Sequence, residues 1–183
     1  MLPESGQKPP DPSHFSILDV TIGQDNLSTL QGKLGAVKKC HAIKHDGVDI
    51  AGYTDSKENV VFEFGEVGGG DVTGFYLSRP RRTLGCPLSH LPSKISGLTT
   101  KGGIHLGMTE GEFARIFGPP KVRTGNLWKY GWTFEAKYTD EEKEKAAKAG
   151  EKIADAYSVG ITIEARFSGG VLGYFYISKL EVT

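Results

Sequence analysis

Apolar residues recur along this chain with two different periods. Near residue 30 the spacing is helical: Leu27, Leu30 and Leu34 fall at i, i+3 and i+7 on one stripe. This predicts a helix from about Asn26 to Leu34. Asp25 is the expected N-cap, its carboxylate accepting a free N–H of the first turn. Gly35 suits the left-handed position just past the end. A second stripe, Phe113, Ile116 and Phe117, predicts another short helix. Thr109 and Glu112 form a T-x-x-E capping box ahead of it. Gly118 ends it, and Pro119-Pro120 cannot continue it.

After each helix the period drops to two. Val60, Phe62 and Phe64 alternate with Val61, Glu63 and Gly65; Ile161, Ile163, Ala165 and Phe167 alternate with Thr162, Glu164 and Arg166. Such alternation reads as half-buried strands. Gly68-Gly69-Gly70-Asp71 and Ser168-Gly169-Gly170 predict hairpin turns. A further strand precedes each hairpin. One runs from Leu127 to Ala136, with Trp128, Tyr130, Trp132 and Phe134 on a core face; the other, weaker, spans Asp49 to Thr54. Thr139 to Ala156, rich in Glu, Lys and Ala, predicts a lightly packed surface helix inserted between two strands.

The order of elements repeats. Ile22-Gly23-Gln24-Asp25 opens the first helix and Leu106-Gly107-Met108-Thr109 the second; one gap aligns Leu30 with Phe113 and Leu34 with Phe117. The closing strands also match, Gly74-Phe75-Tyr76-Leu77-Ser78 against Gly173-Tyr174-Phe175-Tyr176-Ile177-Ser178. Self-similarity of this kind constrains architecture. It predicts an α+β fold of two tandem units, each a short helical segment followed by a three- to four-stranded antiparallel sheet, with the helices on one face. Joining the two sheets into one would remove two exposed edges. The expected divisions are a flexible proline-rich leader at 1–14, unit one at 15–79, a linker at 80–101, and unit two at 102–183 carrying the inserted helix at about 139–156.

Charge narrows the function. The 183 residues carry 22 basic and 22 acidic side chains, for zero net charge, where binders of nucleic acid or anionic membranes usually show a basic excess. Arg79, Arg81 and Arg82, the one basic cluster, read as a solvated linker. No apolar run approaches the roughly 20 residues of a membrane span. Met1-Leu2-Pro3 lacks the charged and apolar regions of a signal peptide.

Candidate chemistry is sparse. Gly68-Gly69-Gly70 and Gly102-Gly103 lack the strand–GxGxxG–helix context of a dinucleotide site and the Lys-Ser/Thr of a P-loop. Ser89-His90 offers no nucleophile elbow. No catalytic residue and no cofactor is expected. Cys40 and Cys86 leave alternatives. They could form one disulfide, closing a loop of about 47 residues and stabilising by about 4 kcal/mol, or remain two thiols. With His45 and His90 they could instead make a tetrahedral zinc site. The long intervening loop and Pro87 weigh against zinc, whose sites favour tight spacings. The strongest binding candidates are Tyr76, Tyr174 and Tyr176. If Phe175 and Ile177 face the helices, Tyr174 and Tyr176 face outward, with Tyr76 matching in the first unit; the alternative is ordinary sheet residues packing across strands. Tyrosine suits an interface, burying its ring while its hydroxyl stays wet.

The run Gly103-Ile104-His105-Leu106-Gly107-Met108-Thr109-Glu110-Gly111-Glu112-Phe113-Ala114-Arg115-Ile116-Phe117-Gly118-Pro119-Pro120 resembles the Gly-Met-Thr … Leu-Gly-x-Pro signature of the SmpA/OmlA family of small outer-membrane assembly lipoproteins. Through them it is similar to the tandem layout of the β-lactamase inhibitory protein-like fold, over about residues 17–183. The first unit departs from the signature, with Gln24-Asp25 for Met-Thr and Ala36 for the closing proline, and no lipobox cysteine supports a lipid anchor. The resemblance implies an exported, non-enzymatic module, periplasmic or secreted, that binds a protein partner in the cell envelope or outside the cell through an open sheet face and loops. The alternatives are a metal-binding protein using Cys40, His45, Cys86 and His90, or a small-ligand-binding envelope domain with a pocket under the aromatic strand.

Overall fold

The computed structural model describes residues 9–42, 48–55, 57–65, 70–79, 86–92, 98–150 and 152–182. A 3-10 turn, Pro12–Phe15, leads into β1 (Ser16–Ile17) and β2 (Val20–Thr21), which pair with each other. There follow α1 (Leu27–Leu34), β3 (Cys40–Ala42), β4 (Val48–Thr54), β5 (Asn59–Phe64), β6 (Val72–Ser78) and β7 (Leu88–His90). The remainder supplies α2 (Glu110–Phe117), β8 (Val122–Thr124), β9 (Leu127–Lys137), α3 (Asp140–Lys148), β10 (Ala156–Ser168) and β11 (Val171–Val182).

Among the described residues nine strands form a single sheet in the order β3-β4-β5-β6-β11-β10-β9-β8, with β7 beside β4. This corrects the expected fold. Among the described residues the chain is mostly antiparallel sheet, 49% strand against 19% helix, and not two helix-plus-sheet units with helices on one face. The physical reason lies in the ladders. β6 and β11 pair antiparallel from Tyr174↔Ser78 to Ser178↔Gly74, joining the strands into one sheet as the edge argument favoured, so no separate units remain. The helices are also too short to form a layer: α1 and α2 have eight residues each and α3 nine. At about 1.5 Å per residue each spans only some 12–14 Å. Much of the cover comes instead from irregular chain, including Phe15, Ile22, Leu98, Ile104, Leu106 and Met108, all buried in the main core.

The alternating pattern of the strands decides which side chains enter that core. Tyr53, Phe62, Phe75, Phe175, Ile163 and Tyr130 lie on one parity and are fully buried, joined by Leu30 and Leu34 of α1 and Phe113 and Phe117 of α2. Phe113 contacts Phe175 edge-on at 6.0 Å and Trp128 at 6.3 Å between ring centroids. The N-cap of α1 differs from expectation by one residue. Asn26 caps α1, accepting from the N–H groups of Ser28 and Thr29 at 3.0 and 3.1 Å, while Thr29 Oγ1 accepts from Asn26 N–H. Asp25 instead accepts from Thr21 N–H and ion-pairs with Lys33, each at 2.7 Å. For α2 the Thr109–Glu112 capping box forms as the sequence predicts.

One local corner does occur twice. Gly23 and Gly107 both hold positive φ, which glycine adopts without steric cost. Their N–H groups donate to Val72 O at 2.7 Å and Leu172 O at 2.8 Å, clipping each helix approach onto the start of β6 or β11. At the other end of each helix a buried tyrosine hydroxyl donates to the terminal glycine carbonyl: Tyr53 to Gly35 at 2.8 Å, Tyr130 to Gly118 at 3.0 Å. The predicted helix at 139–156 is shorter than expected, ending at Lys148, and its buried contact is Ala146. Gly68 and Gly69 of the first expected hairpin turn lie outside the described residues.

Candidate functional site

On the face opposite the main core, the parity that buries Phe75, Phe175 and Ile177 turns Tyr76, Tyr174 and Tyr176 outward. Tyr76 on β6 stands directly across from Tyr176 on β11. Their rings stack at 4.6 Å with 22° between planes, and Tyr174 lies 6.0 Å from Tyr76. All three are half-buried. The Arg166 guanidinium of β10 sits over the Tyr174 ring at 5.7 Å, within cation–π range.

Glu63 organises the group. It occupies an outward position on β5, yet it is buried, 6% exposed. Tyr76 OH donates to its Oε1, and Tyr176 OH to its Oε2 at 2.8 Å. One carboxylate thus fixes two phenols from neighbouring strands. The chain makes room for it with Gly74, opposite Glu63 in the β5–β6 ladder. A Cβ there would lie 3.0 Å from Glu63 Oε2 and 2.9 Å from Ile177 O, closer than real side chains pack. Burial, with the Glu63 charge beside them, raises the pKa of both Tyr76 and Tyr176 above the ordinary phenol value. Both hydroxyls therefore remain donors through the neutral range. Beyond Arg166 the face turns polar with Glu164, which ion-pairs with Lys129 of β9.

The two cysteines lie at the far side of the same face. Cys40 and Cys86 are joined in a disulfide with Cα atoms 6.0 Å apart. Cys86 packs with Ala42, Ile50 and Val61 in a second, smaller apolar cluster that Leu88 extends. A Cβ on Gly52 would collide with Leu88, so the glycine lets this segment lie flat on β4. The bridged sulfurs offer no thiolate to a metal. His90 is exposed on β7, and His45 lies outside the described residues. Among the described residues no group of three or more His, Cys, Asp or Glu side chains is placed to hold a metal ion. His41 and Lys39 instead meet Asp49 at 3.1 and 2.7 Å. Ser89 Oγ donates to Ala36 O. Arg79 ion-pairs with Glu58 rather than standing free in solvent, while Arg81 and Arg82 are outside the described residues. No described helix is long and apolar enough to cross a membrane.

Parity places the three tyrosines outward, as the structure has them, but gave no sign of Glu63. The available signal was its setting: one acidic residue in the run Val60-Val61-Phe62-Glu63-Phe64, whose strand is buried on both faces. A carboxylate there needs partners. The site is a braced aromatic plate on a mainly antiparallel sheet. In comparison with known proteins, the chain matches no family model, no curated protein and no solved structure.

Proposed function

We propose that the protein is an exported, non-enzymatic binding module that recognises a protein partner through the face carrying Tyr76, Tyr174 and Tyr176. The observation that carries this reading is the bracing of Tyr76 and Tyr176 by buried Glu63. Ordering an aromatic side chain on association costs entropy, and rings already fixed in the free protein avoid much of that cost. Rigid tyrosines flanked by polar groups are what recurrent protein-binding surfaces use as anchors. Arg166 beside them adds a residue type enriched in such anchors. The Cys40–Cys86 disulfide favours export, because disulfides persist in oxidising compartments and are rare in the cytosol. The likeness of residues 103–120 to outer-membrane assembly lipoproteins points the same way.

The test uses photo-crosslinking in the source cells, with the crosslinker placed at Thr162 beside the plate or at exposed Gln24 as a control. A discrete protein adduct at Thr162, lost in a Tyr174→Ser/Tyr76→Ser variant with an intact circular dichroism spectrum, is the expected result. Equal adducts at both positions, or persistence in the variant, would reject recognition through this face.

A further inference from the structure

The opposite side of the sheet holds a pocket that the tyrosine face does not involve. Its volume is about 570 Å³, within the range of small-molecule sites. Its apolar lining comes from Phe117 of α2, Trp132 and Phe134 of β9, and Ile161 of β10. Pro9, Pro10 and Pro12 form part of its wall. Proline fixes its own φ, so this wall loses little freedom when a ligand arrives. Ile116 borders the pocket and is 38% exposed, an apolar side chain without full cover.

The polar groups at the pocket define what could bind. Lys179 lies directly across from Ile161 in the β10–β11 ladder, on the same parity as core residues Phe175 and Ile177. A lysine at a core-parity position lays its aliphatic stem along apolar surface and keeps its ammonium at the mouth. Among the described residues no ion pair engages that ammonium. Asp11, also in the lining, accepts from Ser13 N–H at 2.9 Å and so is engaged in its own turn. His14 is buried against Phe117, with ring centroids 5.0 Å apart. Burial lowers its pKa, against an opposing pull from Asp11, so it adds no second cation at neutral pH. The result is an apolar chamber with one cation, Lys179, and one carboxylate, Asp11, that its own turn already engages.

We propose that this pocket binds a small hydrophobic monocarboxylate, its apolar body on Trp132, Phe134 and Ile161 and its carboxylate at Lys179. The site is independent of the tyrosine face and stands or falls apart from it. The experiment is calorimetric titration of the full chain with decanoate, 2-naphthoate, decanol and decyltrimethylammonium, with tryptophan fluorescence followed in parallel. One carboxylate should bind saturably at one site and perturb the fluorescence; the tighter of the two assigns an alkyl or an aromatic body. Lys179→Gln, at an exposed position that leaves folding intact, should weaken the carboxylate about fivefold, the worth of a partly exposed ion pair, and leave decanol unchanged. Ile116→Glu should weaken carboxylate binding by adding a second negative charge to the lining. Absence of saturation by either carboxylate overturns the proposal. So does decyltrimethylammonium binding as tightly as decanoate, or Lys179→Gln weakening decanol equally. Binding only by a chain shortened to begin at Pro9 would assign the pocket to the protein's own N-terminal residues, and also overturns it.

Discussion

Glu63 is the residue whose placement is least explained by packing alone. Its strand is buried on both faces, so its carboxylate was removed from water and must be satisfied from within. Tyr76 and Tyr176 do this. Hydrogen bonds to a charged group stabilise by about 1.5–3 kcal/mol, against about 1 kcal/mol for neutral pairs. Glu63→Gln keeps the shape but exchanges one acceptor oxygen for a donor. It should lower stability by about 1–2 kcal/mol, read as an earlier urea midpoint. The same charge leaves a mark in alkali. The folded pKa values of Tyr76 and Tyr176 are raised above 10, and burial pushes Tyr53 up to about 12. The folded state therefore keeps protons that the unfolded chain releases. Stability is fully present below pH 10 and is lost as pH rises beyond it. In Glu63→Gln the total alkaline loss should be smaller, because burial still raises both phenols but the carboxylate no longer adds to it. An identical alkaline limb in both proteins would mean that Glu63 does not govern these tyrosines.

At the scale of elements, the two helices are held at both ends by the sheet. Isolated helices of eight residues are not stable in water, so α1 and α2 depend on Gly23, Gly107 and the two tyrosine hydroxyls at their ends. Tyr53→Phe and Tyr130→Phe each remove one donor from a helix-terminal carbonyl. Each should cost about 1–2 kcal/mol. Hydrogen exchange should rise mainly in α1 for the first variant and in α2 for the second. Exchange that rises uniformly over the molecule would show that the hydroxyls do not act on their own helices. These elements were largely legible in the sequence, since caps, stripes and alternation are local signals. The N-cap of α1 was misplaced because Asp25 and Asn26 are both good capping residues, and the choice depends on Lys33, about two turns away, which draws Asp25 aside. The outward set of Tyr76, Tyr174 and Tyr176 followed from parity alone. Glu63 did not, because its partners come from other strands, one of them 113 residues away. The architecture was also misread. Local repetition was taken for two helix-plus-sheet units, whereas the described chain is mostly strand and its helices are too short to form a layer.

Across the whole molecule, the disulfide joins parts of the sheet that the backbone ladders hold weakly. β3 is an edge strand paired to β4 over three residues, and β7 likewise meets β4 over three. The bridge spans a sequence separation of 46 that contains β4, β5 and β6. Its main effect should therefore fall on the unfolded chain, which it prevents from separating these segments. In the chain-entropy model that restriction is worth about 4 kcal/mol. The double variant Cys40→Ala/Cys86→Ala should lose up to that amount in urea unfolding. Its m-value should also rise, because an uncrosslinked unfolded chain exposes more surface. The native-state consequence should be local. Hydrogen exchange should increase in β3 and β7, which lose their tie, while β6, β10 and β11, held by long ladders on both sides, keep their protection. The tyrosine plate, seated on β6 and β11, should then keep its ring stacking. Loss of protection throughout the sheet would contradict this division, and would mean that the Cys86 segment supports the whole outer face and not the edge alone.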